Sequence, residues 1–160
     1  MNHGDMPSRF GFHSLPFTRE IRVADRFAHE VYERPRDYLL RALDKRMSGA
    51  LIAPAGTGKT TLLRALMEAL PESRYRVRYV KVTDLSKRDL CREIATAIGV
   101  APAGTYPTLV RRLQERFAND LDVEAVRPVL FLDEGHNMRP EVLSILRILT
   151  NFERQILAWC

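Results

Sequence analysis

The sequence predicts an α/β domain with a parallel central sheet flanked by helices, and three observations predict it. A short apolar run at 48–53 passes through a glycine-rich loop into a segment of helical period. A second apolar run, at 129–132, is continuous rather than alternating, as a strand covered on both faces requires. Around these two, short Val/Tyr/Leu-rich runs alternate with amphipathic stretches, which is the order of a βα-repeating domain. A length of 160 residues, 46% apolar and 28% charged, fits one globular domain and excludes a disordered or collagen-like chain.

Each element has a local reason. Residues 1–34 read as an N-terminal arm: Gly4, Pro7, Gly11 and Pro16 break regular structure, while Phe10, Phe12 and Phe17 pin it. The remainder, 35–160, is the core. Its first helix opens at Pro35, whose missing N–H costs nothing in a first turn, and carries Tyr38, Leu39, Ala42 and Met47 toward one side. The strand at 48–53 feeds the loop, and LLRALMEAL continues as a helix until Pro71. YRVRYVKVTDL forms the next strand, and Thr83, Asp84 and Ser86 suit a strand terminus and a helix cap, with the helix over 87–98 closed by Gly99. APAGTYP turns the chain into a helix over 108–118, and a last helix covers 140–152 after the strand at 129–132. There is no internal repeat.

Charge and cysteine usage narrow the class further. The formal charge is +5, from 25 Lys+Arg against 20 Asp+Glu, and the surplus sits mid-chain, with 10 basic and 6 acidic residues between 71 and 120. Arg74, Arg76 and Arg78 alternate along a strand entry, with Lys87, Arg88 and Arg92 at helical spacing nearby. This set suits contact with an anionic polymer, but at a net +5 a solvated face is the commoner meaning of such a surplus. Two cysteines, Cys91 and Cys160, make neither a disulfide framework nor a four-ligand metal site. His3, His13 and His29 have no metal-ligand spacing. No run of eighteen apolar residues or signal-peptide pattern is present, so the expected location is cytoplasmic.

The segment Ala53-Pro54-Ala55-Gly56-Thr57-Gly58-Lys59-Thr60 follows a strand and opens a helix, the context that a Walker A phosphate loop requires. Backbone N–H groups of such a loop point into one concavity, and the helix adds its positive dipole end. The predicted ATP contacts are therefore Ala55, Gly56, Thr57, Gly58, Lys59, Thr60 and Thr61. Gly56 and Gly58 supply unusual dihedrals, Lys59 neutralises the β and γ phosphates, Thr60 offers a hydroxyl to Mg²⁺, and Thr61 lies near the α phosphate. Ala53 stands where the motif has glycine.

LFLDEGHN supplies the complementary Walker B arrangement. Neighbouring side chains at a strand end diverge, so Asp133 reaches toward Mg²⁺ while Glu134 orients an attacking water as the catalytic carboxylate, with Lys59 as the catalytic cation. An Asp-Glu pair after a strand is otherwise ordinary turn material, and the upstream loop is what favours the functional reading. His136 is open between a sensor of the γ phosphate and a surface residue.

With both motifs in place, the chain resembles the AAA+ P-loop ATPases, and within them the group containing the ExeA/GspA secretion ATPases and the MuB/TniB-like ATPases of DNA transposition. The resemblance runs from about residue 10 to residue 153, on FGFHSLPF, GTGKTTLLRAL, VTDLS, LFLDEGHN and PEVLSILRILTNFE. It implies a P-loop NTPase core, ATP hydrolysis by the full-length family, and homo-oligomers. It also places Phe12, Leu15 and Pro16 near the adenine, against simple hydrophobic anchoring of the arm. Family members continue through a sensor strand, an arginine finger and a helical lid, whereas RQILAWC does not read like that continuation. The expected core is accordingly incomplete: it lacks a central strand, exposes Leu143, Ile145, Ile148 and Trp159, and binds nucleotide more readily than it turns it over. None of Arg139, Arg147 and Arg154 is singled out as the finger.

The functional expectation is an ATP-dependent, DNA-binding regulator of transposition that recruits or activates a transposase on double-stranded DNA. Three rivals are a secretion-associated ATPase, a non-hydrolysing nucleotide-dependent binding module, and a small-molecule kinase, for which no acceptor site or Arg-rich lid is visible.

Overall fold

The computed structural model describes residues 10–11, 22–27, 29–122, 125–150 and 156–159. A 3-10 turn at Val23–Asp25 precedes helix α1, Glu30–Asp44. Strand β1 is Gly49–Ala50, helix α2 Lys59–Ala69, strand β2 Tyr75–Lys81, helix α3 Lys87–Ala97 and helix α4 Tyr106–Asp122. Strand β3 is Arg127–Asp133, helix α5 Pro140–Thr150 and strand β4 Ile156–Trp159. The four strands form one parallel sheet in the order β1-β4-β3-β2.

Strand parity divides the core into two layers. Val80, Val82, Leu130 and Leu132 face α3, α4 and α5, where Leu90, Ile94, Leu109, Leu113 and Ile145 are fully buried. Tyr75, Val129 and Phe131 face α1 and α2, against Leu39, Leu43, Leu63 and Leu66. This two-sided burial is why β3 carries no alternation, with six of its seven residues buried. Asp133 has the parity of Val129 and Phe131 and so belongs to the α2 side.

Several boundaries follow the predicted chemistry. The Ser86 hydroxyl accepts from the Asp89 N–H at 3.2 Å to cap α3. Gly99, at φ +74°, ends it by letting the Val100 N–H reach the Ala95 carbonyl at 2.8 Å. Helix α1, however, begins at Glu30 instead of Pro35, so the expected division between arm and core at 34/35 falls inside a helix. His29 Nδ1 accepts from the Val31 N–H at 3.2 Å, and Glu30 and Glu33 place negative charge at the helix's positive end. Arg26–Glu33 at 2.6 Å and Arg36–Glu33 at 3.1 Å hold that turn, which offsets the hydrogen bond lost at Pro35.

The sheet also corrects the expectation of a missing central strand. Strand β4 lies between β1 and β3, pairing Ala158 with both Gly49 and Phe131. A four-residue strand cannot show a period, and its partners lie far upstream, so RQILAWC reads as a tail until the register is known. Ile145 is fully buried rather than exposed, while Leu143 and Ile148 are partly exposed as expected. Only Gly49 and Ala50 of the run at 48–53 pair as strand; the next residues already belong to the loop. Among the described residues no helix is long and apolar enough to cross a membrane.

Candidate functional site

The loop from Ala53 to Gly58 stands at the carboxyl end of β1 and delivers α2. Gly56 and Gly58 have φ of +78° and +84°, the left-handed conformation that side chains resist, so the glycines are required by the backbone path. Gly58 caps α2 without any side-chain hydrogen bond, leaving the first-turn N–H groups directed at the cleft. Thr57 Oγ1 donates to the Pro54 carbonyl at 2.8 Å and staples the loop. Lys59 Nζ donates to the carbonyls of Ala53 at 2.9 Å and Pro54 at 3.0 Å. Its ammonium is therefore held at the loop's own rim.

The two acids lie where β3 ends beside the start of α2. Thr60 Oγ1 donates to Asp133 Oδ2 at 3.1 Å, a contact across 73 residues of sequence. The Glu134 N–H donates to Asp133 Oδ1 at 2.8 Å. Asp133 is buried, and Glu134 is a left-handed residue at φ +62°, so the chain leaves the extended conformation of β3 at the second acid. His136 Nδ1 lies 3.4 Å from Glu134 Oε2, so this histidine faces the second acid.

One member of the cluster has no sequence motif. The Tyr79 hydroxyl donates to Asp133 Oδ2 at 2.7 Å. Tyr79 pairs with Phe131 in the β2–β3 register, and its side chain leans two residues along the sheet to reach Asp133. Parity alone puts Tyr79 on the α2 face, but strand neighbours and register are needed to bring it to Asp133.

Between loop and acids opens a cleft of about 890 Å³, lined by Gly56, Lys59, Thr60, Asp133, Glu134 and His136 among others. Of the predicted residues, Ala55, Gly56, Gly58, Lys59, Thr60, Asp133 and Glu134 line it, and Thr57 braces the loop beneath. Thr61 follows Thr60 in the first turn of α2 and is not part of the lining. Phe12, Leu15 and Pro16 lie outside the described residues. Among the described residues no cluster of three or more His, Cys, Asp or Glu could hold a metal on its own. The donors are instead one hydroxyl and one carboxylate, both hard oxygens, the set that Mg²⁺ uses when phosphates complete its shell.

Much of the basic surplus has intramolecular partners. Arg74 pairs with Asp44 at 3.1 Å, Arg88 donates to the Gly104 carbonyl at 2.9 Å, and Arg92 lies 3.6 Å from Asp89. Arg78 donates to the Val77 carbonyl and is half-buried.

Comparison with known proteins agrees with this fold. Residues 41–159 match the family model described as an AAA domain. The chain is 32% identical over 106 residues to the General secretion pathway protein A of Aeromonas hydrophila, covering 64% of this chain and 19% of that protein. It thus spans about a fifth of that relative's length. Cdc6p from Pyrobaculum aerophilum has a similar structure, with TM-score 0.62 at 21% identity over 88% of this chain and 41% of that one. A second similar structure is Drosophila ORC bound to AT-rich DNA and Cdc6, with TM-score 0.58 at 17% identity over 81% of this chain and 46% of the other. At such identities the likeness concerns the fold.

Proposed function

From the premise that the chain belongs to the AAA domain family, we propose that its cleft binds ATP with Mg²⁺ and that Glu134 serves hydrolysis of the γ phosphate. The observation that carries this reading is the Thr60–Asp133 hydrogen bond, which joins the phosphate loop to the strand-end acids. Gly56 and Gly58 keep side chains out of the concavity, and the amides of Ala55 to Thr60 hold the phosphates. Lys59 exchanges its loop carbonyls for the β and γ oxygens, a gain in charge pairing. Thr60 and Asp133 are the residues that would hold Mg²⁺, which when bound offsets phosphate charge. Glu134, which lines the same cleft, orients a water for in-line attack and accepts its proton.

For the whole protein, the use of ATP that we propose is regulation of DNA transposition, as a cytoplasmic homo-oligomer acting on double-stranded DNA and a transposase. Its support is the basic surplus at 71–120 and the fold likeness to a DNA-bound ORC structure. The second reading, a secretion-associated ATPase, is favoured by the 32% identical relative.

Binding of a fluorescent ATP analogue with Mg²⁺, by the wild type and by Lys59→Ala, tests the site, and DNA co-sedimentation with and without ATP tests its use. Loss of nucleotide in the mutant is expected; equal binding by both overturns the site. ATP-dependent DNA binding that weakens steeply with salt supports the transposition reading. Tight ATP binding without DNA at low salt removes that reading and leaves the secretion one.

A further inference from the structure

We infer that Tyr79 is a positioning residue for the metal-facing carboxylate, an inference that rests on the proposed Mg·ATP site. Asp133 is 5% exposed, and its two oxygens are engaged from different directions. Oδ1 takes the Glu134 N–H at 2.8 Å, while Oδ2 takes both the Thr60 hydroxyl at 3.1 Å and the Tyr79 hydroxyl at 2.7 Å. Of these three contacts, the tyrosine's is the shortest. It comes from β2, the strand beside β3, so the donor is carried on the sheet itself rather than on a loop.

This placement has a chemical consequence. Thr60 belongs to the phosphate loop's helix and offers its oxygen to the metal, so its grip on Asp133 changes when nucleotide enters. Tyr79 belongs to the sheet and stands outside the phosphate loop and its helix. Its hydroxyl fixes the Asp133 rotamer from the sheet side before and after nucleotide binds, and spares the metal from having to order the carboxylate. The ring is partly exposed, and Tyr79→Phe removes the donor while keeping the ring.

The test is a Mg²⁺ titration of fluorescent ATP analogue binding by the 160-residue chain, for wild type, Tyr79→Phe and Asp133→Asn. A melting curve and the analogue's affinity in EDTA accompany each protein. Outer-shell partners are worth about 10–100-fold in metal affinity, and the Thr60 and Glu134 donors to Asp133 stay in place. Tyr79→Phe is therefore expected to need about tenfold more Mg²⁺ at half-saturation, with unchanged EDTA affinity and melting. A wild-type Mg²⁺ midpoint in Tyr79→Phe, with Asp133→Asn shifted, overturns the inference and leaves the site intact. An unshifted midpoint in Asp133→Asn overturns the metal-site reading, and the inference with it. If the Phe variant melts low, Tyr79→Leu, which also lacks the hydroxyl, is read by the same two midpoints.

Discussion

Lys59 Nζ lies 2.9 Å from the carbonyl oxygen of Ala53, six residues earlier in the same loop. With the bond to Pro54, the ammonium bridges two successive carbonyls of the loop. The same cation thus braces the loop and, on the proposed reading, pairs with the phosphates. Lys59→Ala removes both, so two effects are expected together. Affinity for Mg·ATP falls by about 10–100-fold, the worth of a charge-assisted hydrogen bond of about 1.5–3 kcal/mol, read by analogue fluorescence. The nucleotide-free protein also loses about 1 kcal/mol, read by urea midpoint. A loss of affinity with an unmoved midpoint would mean that the loop does not depend on this bridge.

Glu134 combines a proposed chemical role with a costly backbone. A left-handed conformation costs a side-chain-bearing residue about 1–2 kcal/mol, and residue 134 is held there at φ +62°. Glu134→Gln keeps the strain and removes the base; turnover should fall about 10²–10⁴-fold, with ATP affinity retained. Glu134→Gly removes both and should lose turnover equally. It should also gain about 0.5–1 kcal/mol in thermal stability over the Gln variant, because relief of strain exceeds the extra entropy of an unfolded glycine. Equal stabilities for the two would show that the strain does not reside at this residue.

The two loop glycines separate dihedral strain from steric contact. A Cβ on Gly56 meets nothing within 4 Å, whereas one on Gly58 meets Tyr32 Cε1 at 3.3 Å. Both have positive φ, so Gly56→Ala and Gly58→Ala should each cost about 1–2 kcal/mol. Gly58→Ala should lose more, by the displacement of the Tyr32 ring. Tyr32→Ala in the Gly58→Ala background should recover that difference and do nothing for Gly56→Ala, as a double-mutant cycle on melting curves measures. Identical coupling at the two glycines would remove Tyr32 from the account.

What was legible in the sequence was whatever local chemistry dictates. The glycines of the loop are forced by positive φ, Ser86 and Gly99 by helix ends, and the unalternating 129–132 run by burial on both sides. These set the α/β class and brought Lys59, Thr60, Asp133 and Glu134 to one cleft. Missing were the contacts set by strand register and by distant pairs that carry no motif. Strand β4 is defined by partners at Gly49 and Val129, and Tyr79 reaches Asp133 only because β2 lies beside β3 with Tyr79 opposite Phe131. Helix α1 runs through Pro35 because Arg26 and Arg36 grip Glu33 in its first turn, a contact that no periodicity shows.

Cys91 tests the packing between α3 and the sheet. Its side chain is fully buried in the layer formed with Val80, Leu109 and Leu113, and burial pushes the thiol up to about 11 from its ordinary value of 9.0. The thiolate is the reactive form, so at pH 8 the native protein should leave Cys91 unlabelled by iodoacetamide, and urea should expose it, as mass spectrometry of its peptide reports. The raised folded value also sets the sign of a pH effect. Below pH 9 both states hold the proton and the stabilising contribution is whole; between about pH 9 and 11 the unfolded chain loses its proton first, so stability falls. The loss totals about 2–3 kcal/mol by pH 11, because each step of one in pH across that window removes about 1.4 kcal/mol. Cys91→Ala should flatten that part of the stability curve while lowering it at pH 7 by the small cavity it leaves. If the Ala variant instead keeps the alkaline decline, another group causes it.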